Sequence, residues 1–319
     1  MKISFCTTCM GRAHHLKETL PKNIRDNPAF DDMDVEFVVL NYNSKDDLHE
    51  WMTTDPEMKS HIESGLVRYG KTTDPEFFHM SHAKNMSHRM ATGDVLCNLD
   101  ADNFTGPEFA KLLHKNFSKK MDVVINPSVE VSRTFGKEDQ GFFGRVAISR
   151  NNFMALGGYD EEFSGWGGED EDLMQRAKGL GLDHLRFKSI KYLGVITHSN
   201  EDRVGNMVSA ENLDAEIKDV EDKKYSKQSA FNKLFNKLKV LAKPVQANMG
   251  KGFGVGSVRM ENSRDLHFSK TTDRIMPSFS VCAVGVIELV RGRISPRSVD
   301  NLEEVGSNAT SSTELTSEL

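Results

Sequence analysis

The chain has 319 residues, enough for one large domain with a substantial core and an appendage. Its 41 Lys and Arg stand against 47 Asp and Glu, a net charge of -6, and no long basic groove is visible, which argues against nucleic acid as a partner. Four cysteines, Cys6, Cys9, Cys97 and Cys282, are too few for a disulfide framework in a chain this long.

In chain order, Lys2 to Cys6 and Val35 to Leu40 are apolar runs expected as strands, with a helical stretch around Leu16 to Ile24 between them. That order is the βαβ opening of an α/β domain suited to a nucleotide. The chain begins directly in the first strand, without a signal peptide or membrane anchor, which predicts a cytoplasmic protein. Cys6 and Cys9, with His14 and His15 nearby, invite a zinc reading, but no second cysteine pair accompanies them. Asn41 to Ser44 close the second strand, where the Asn41 amide could meet a nucleobase edge. Arg12 and Lys84 are the candidate phosphate contacts, each weighed evenly against a solvated surface cation.

Asp94 to Leu99 read as a buried strand, and Asp100 and Asp102 follow at its carboxyl end, where open α/β sheets bind ligands. Two carboxylates one residue apart can share a hard cation, Mg²⁺ or Mn²⁺ rather than zinc. The most informative segment is Gly157 to Asp172. Gly167 and Gly168 allow a close backbone approach or a positive φ, and Trp166 offers a flat apolar face on which a sugar ring can stack. Glu169, Asp170, Glu171 and Asp172 cannot all ionise at ordinary cost, so one of them is a candidate general base. Leu173, Met174, Ala177 and Leu180 recur at helical spacing, which puts the four acids in a helical first turn. An acidic helix start alone is the plainer alternative.

Together these residues carry a resemblance. Asp100-Ala101-Asp102 resembles the Asp-x-Asp motif of nucleotide-sugar glycosyltransferases with the GT-A fold. Phe142 to Ser199 is similar to the carboxyl-terminal catalytic half of the β-1,4-galactosyltransferase family, and Ile3 to Lys17 to that family's first strand and Arg-x-x-His-Leu-Lys loop. The first two thirds of the chain are covered, and all but the Trp-Gly-Gly-Glu-Asp core would also fit the broader family-2 enzymes. The resemblance implies a GT-A α/β fold with a mixed central sheet flanked by helices.

It also implies roles. Asp170 would be the catalytic base; Trp166, Gly167, Gly168 and Glu169 would hold an acceptor glycan. Thr8, Arg12, Asn41, Lys84, Asp100 and Phe142 would meet the UDP-sugar donor. Asp102 and His198, with Asp100 in the metal shell, would hold Mn²⁺ or Mg²⁺. Val195 stands where the family has a methionine ligand, Phe142 where it has a tyrosine, and Arg145 where it has a glycine. Arg145 there would either pair with the diphosphate or cover the surface. The implied reaction is inverting transfer of galactose or N-acetylgalactosamine to a glycan hydroxyl in polysaccharide biosynthesis. A sugar-nucleotide pyrophosphorylase or phosphohydrolase and a non-catalytic carbohydrate-binding protein are the alternatives.

The expected catalytic domain spans residues 1–205. A polar lid is expected over residues 200–226, running into an extension at 206–262 in which 229–243 form a basic amphipathic helix that either packs on the domain or makes a peripheral contact with the inner membrane. Gly250 to Gly256 read as turns, and 263–319 as a tail without pattern, disordered at its Ser, Thr and Glu-rich end.

Overall fold

The computed structural model describes residues 1–128, 130, 141–163, 165–225 and 245–270. The expected helix at 229–243 and most of the expected tail lie outside these residues.

Strand β1 (Lys2–Cys9) is followed by α1 (Ala13–Asp26), β2 (Asp34–Tyr42), α2 (Leu48–Thr54), α3 (Pro56–Glu63), β3 (Val67–Thr72), α4 (Met80–Met90) and β4 (Val95–Asn98). Then come β5 (Asn103–Phe104), α5 (Phe109–Phe117), β6 (Val123–Pro127), β7 (Ala147–Ser149), α6 (Arg150–Ala155), α7 (Glu169–Gly179) and β8 (Asp183–Phe187). The described chain closes with β9 (Gly194–Val195), α8 (Asn200–Val204), α9 (Leu213–Tyr225), β10 (Gly256–Met260) and β11 (Leu266–Phe268).

Nine strands form one mixed sheet in the order β11-β10-β3-β2-β1-β4-β7-β6-β8, and β5 and β9 form a separate antiparallel pair. β3, β2, β1 and β4 run parallel, while β7 is antiparallel to both of its neighbours. The inner strands read as continuous apolar runs because both faces are covered. On β1 and β2, Ile3, Phe5, Val35, Phe37 and Val39 point into one core with α1, α2, α3 and α5. Cys6, Val38, Leu40 and Tyr42 alternate into a second core with α4, α6 and α7. The result is a sheet between two helical layers.

That layering positions the site. β1 leads through α1 to β2 on one side of it, whereas β4 leads on to β6 and β7 on the other, so the chain diverges at the carboxyl ends of adjacent β1 and β4. The crevice opened by such a divergence is where α/β sheets accept ligands. Arg12 follows β1 there, and Asp100 to Asp102 follow β4.

The sheet also continues beyond the expected catalytic segment. β10 pairs antiparallel with β3 and β11 with β10, adding residues 256–268 to its edge. β11 falls in the stretch expected to be patternless: only Val258, Met260 and Phe268 of this hairpin are buried, too few for a periodic signal. Residues 200–225 contain α8 and α9 rather than a plain polar loop. Ser199 starts α8 with a capping box: its hydroxyl accepts from the Asp202 amide, and the Asp202 side chain accepts from the Ser199 amide.

Candidate active site

Three remote stretches of sequence meet on one cavity of about 760 Å³. Asp102, Asp170 and His198 all line it, as do Thr8, Arg12, Lys84, Asp100, Trp166, Gly167, Gly168 and Glu169.

The four acids opening α7 are partitioned by their surroundings. Gly168, at φ 101°, caps the helix in the left-handed region, where a side chain would be strained and would press on the Phe163 ring at 3.0 Å. Glu169 and Asp170 turn towards α4, where Lys84 Nζ donates to Glu169 Oε1 and Asp170 Oδ1, each at 2.8 Å. Glu171 faces outward and accepts from Gln175 at 2.6 Å. Asp172 accepts from Arg176 Nε at 2.7 Å, and the same guanidinium donates to the carbonyls of Leu156 and Gly158. One acidic run thus supplies a site pair, a surface contact and a buried structural anchor.

The electrostatics separate Glu169 from its neighbour. Burial opposes ionisation of Glu169, but Lys84 outweighs it and holds the carboxyl below its usual range. Burial pushes Asp170 up to about 7; Lys84 counters, and Glu169 and Asp100 add to the rise. Burial also works against the Lys84 charge, yet Asp170, Glu169 and Asp100 hold its pKa well above the ordinary value. A carboxyl poised near neutrality in a cleft fits proton transfer.

Across the cavity, His198 Nε2 lies 2.7 Å from Asp102 Oδ2, and Asn103 Nδ2 donates to Asp102 Oδ1 at 2.8 Å. The position of His198 follows from the small β5–β9 sheet, in which Val195 pairs with Asn103 and the Ile196 amide donates to the Asp102 carbonyl at 2.8 Å. Burial alone would raise Asp102, but the hydrogen bonds from His198 and Asn103 prevail and its carboxyl sits below the usual range. Asp100 faces the other way. Its Oδ1 accepts from Asn98, and burial first, then Asp102 and Glu169, push it up against the lowering pull of Lys84. Among the described residues no three His, Cys, Asp or Glu side chains gather as one ion's ligands. Asp102 and His198 make a contact pair, with Asp100 turned towards Asp170.

Several expected contacts are placed elsewhere. Asn41 is fully buried: its amide donates to Tyr69 Oη at 3.0 Å and its Oδ1 accepts from the Ser44 amide, so it holds a turn beneath the cavity. Phe142 is also fully buried, in the core around β1; the adjacent Phe143 reaches the wall instead. Arg145 neither faces a phosphate nor covers the surface. It is 1% exposed, donates to Asn103 Oδ1 and to the carbonyls of Phe104 and Tyr192, and lies over the Phe109 ring. Lys84 and Arg12 do face the cavity, but Lys84 is held by carboxylates and Arg12 donates to the Asp202 carbonyl of α8. Cys6 and Cys9 are buried, and burial raises both thiols, Cys9 to about 12.

Other lining residues gave no sequence signal. Gly144 makes the closest approach: a Cβ on it would lie 2.7 Å from Asp100 Oδ2 and 3.1 Å from Asp170 Oδ2. Only glycine leaves both carboxylates that room. Arg203, on α8, sits over the Trp166 ring at 5.0 Å, a cation–π contact between the two sides of the rim. Asn206 ties the end of this segment to the Met10 carbonyl and accepts from the Phe78 amide. A glycine before an arginine, or one surface arginine, looks unremarkable until the fold brings its partner.

The chain is similar to several known proteins. A family model described as "Glycosyltransferase like family 2" matches residues 5–147, and one described as "N-terminal domain of galactosyltransferase" matches residues 131–199. Similar solved structures include mannosyltransferase PcManGT from Pyrobaculum calidifontis in complex with GDP-Man and Mn²⁺, at 18% identity and TM-score 0.46, covering 58% of this chain and 54% of that one. TarS 1-349 of S. aureus in complex with UDP has 13% identity and TM-score 0.46, with coverage of 72% and 74%. GalNAc-T7 with UDP, GalNAc and Mn²⁺ has 18% identity and TM-score 0.45, with coverage of 58% and 42%. The chain thus spans about half the length of that mannosyltransferase. Together the two family models run from β1 to the segment that carries His198, across the crevice where β1 and β4 diverge, and over this span the chain is similar to glycosyltransferases.

Proposed function

We propose that the chain transfers a hexose, galactose or N-acetylgalactosamine, from a UDP-sugar to a glycan hydroxyl with inversion at the anomeric carbon. One observation carries the reading: a carboxyl with a pKa of about 7, Asp170, shares a cavity with the Asp102–His198 pair and with Trp166.

In this reaction Trp166 and the Gly167-Gly168 backbone seat the acceptor sugar against the first turn of α7. Asp170 takes the proton of the acceptor hydroxyl; the oxygen forms its bond to the anomeric carbon as the bond to the diphosphate breaks, and the electron pair leaves on the diphosphate. Attack opposite the leaving group inverts the configuration. Lys84 keeps enough of Asp170 ionised near neutrality for it to act as base. Arg12 and Thr8, at the end of β1, lie on the donor side.

The donor chemistry of Asp102 and His198, one carboxylate and one imidazole, fits Mn²⁺ or Mg²⁺ completed by water and diphosphate oxygens. Such an ion would supply charge neutralisation at the departing diphosphate. Loss of the base should cost turnover about 10²–10⁴-fold. The test is UDP release from a panel of UDP-sugars with Mn²⁺ and simple acceptor glycosides, for the wild type and Asp170→Asn. NMR of the product reads the anomeric configuration. Undiminished turnover in Asp170→Asn, or a product with retained configuration, overturns the assignment.

A further inference from the structure

The cavity does not end at the carboxylates. Past Asp170 its wall runs outward along Asn126 of β6, His184 and Arg186 of β8, and Gln175 and Lys178 of α7. β8 is the last strand of the sheet, so this limb lies at the rim. His184 and Arg186 are two residues apart and share one face of β8. Asn126 is in register with Arg186, and His184 Nε2 lies 2.6 Å from Asn126 Oδ1.

Charge along the cavity is segregated. The inner end carries Asp100, Asp102, Glu169 and Asp170 with Lys84 between them; the outer limb carries two cations, Arg186 and Lys178, against the one acid Glu171, and the side chains of the two cations make no hydrogen bond or ion pair among the described residues. The neighbouring acid, Glu171, already accepts from Gln175. His184 supports the same picture: burial first, then the field of Arg186 with Lys178 adding to it, holds its imidazole below its ordinary pKa against the opposing pull of Glu171. Two cations in the wall of a substrate cleft, beside a neutral polar floor, are arranged for an anion.

We infer that the outer limb receives an anionic group of the acceptor, a phosphate or a carboxylate, so that the acceptor is a charged rather than a neutral glycan. This rests on the transfer reading above. The donor's own diphosphate is excluded by distance: β8 is three strand spacings from β4, whose end carries Asp102, about 14 Å at roughly 4.8 Å per strand. One diphosphate cannot serve both places.

Trp51→Phe leaves Trp166, on the cavity wall, as the sole tryptophan, and its fluorescence reports binding in the full-length protein. Glucose, glucose-6-phosphate and glucuronate are titrated at low and high salt, in this background and with Arg186→Gln and Lys178→Gln added. At least one anionic sugar should bind about tenfold more tightly than glucose, with the advantage lost at high salt and in the double replacement. Whichever anion prevails identifies the group. Both replaced side chains are exposed, and Arg186→Lys should restore part of the preference. Equal binding of all three sugars, absence of saturable binding by the anions, or a preference that survives the double replacement overturns the inference. UDP release with the same sugars separates the two readings. Release with neutral acceptors alone refutes the anion site and keeps the transferase, whereas anion binding without release from any UDP-sugar does the reverse.

Discussion

Replacing Lys84 by Met removes the one cation held between Glu169 and Asp170, with contacts of 2.8 Å to each. At that separation and an effective dielectric of about 20, each contact supplies roughly 6 kcal/mol of gross attraction. Several kcal/mol of desolvation per ion stand against it. The Lys84 and Glu169 side chains are each 4% exposed, so deleting the cation leaves the carboxylates buried and uncompensated. The expected loss is about 3–5 kcal/mol at pH 7, a fall in Tm on the order of 10 °C. The sign of the pH dependence follows from Glu169. Its pKa is depressed in the folded protein, so its stabilisation is present above the unfolded value of about 4.3 and is lost as pH falls through the folded value. In Lys84→Met that depression disappears, so the deficit is greatest at neutral pH and narrows towards pH 4 as both carboxyls take protons. Asp170 moves the same way: wild-type kcat/KM should rise with pH to a plateau above about 7, and the variant's limb should shift alkaline by about one unit or more. Thermal unfolding across pH and a pH–rate profile measure both effects. A variant with wild-type Tm at pH 7 and an unmoved limb would refute the reasoning.

Gly144→Ala should lower kcat by about tenfold or more with Tm nearly unchanged, because the added methyl meets Asp100 and Asp170 rather than the core; steady-state kinetics beside a thermal melt decide it. Arg176→Met strands Asp172 in the interior and frees the carbonyls of Leu156 and Gly158, at a cost of about 3–5 kcal/mol in urea unfolding. His198→Ala should abolish both the Tm increase produced by Mn²⁺ and the Mn²⁺ dependence of UDP release, each read against the variant's own metal-free baseline because the melt also falls with the lost Asp102 contact.

The parts of this protein legible in its sequence are those where neighbouring residues hold the information. The continuous apolar runs of β1, β2 and β4 mark strands covered on both faces, and the placement of Asp100 and Asp102 just past β4 puts them at the ligand-binding end. Gly167 and Gly168 before four acids mark a helix start built close to a ligand. The β10–β11 hairpin left no such mark, because one strand partner and three buried side chains suffice to hold it on the sheet. Asn41, Phe142 and Arg145 show the other limit. Each is of a type that could contact a ligand, but only the packed environment reveals that Tyr69, the core and the β5–β9 sheet already engage them.

Local order alone therefore determined the α/β alternation, the acidic turn after β4 and the acidic first turn of α7. Tertiary structure decided which of the four α7 acids are catalytic candidates, where Lys84 spends its charge, and that His198 meets Asp102. The physical reason is that a side chain's pKa and availability depend on burial and on partners far away in sequence: Lys84 and Asp170 are 86 residues apart, and Asp102 and His198 are 96.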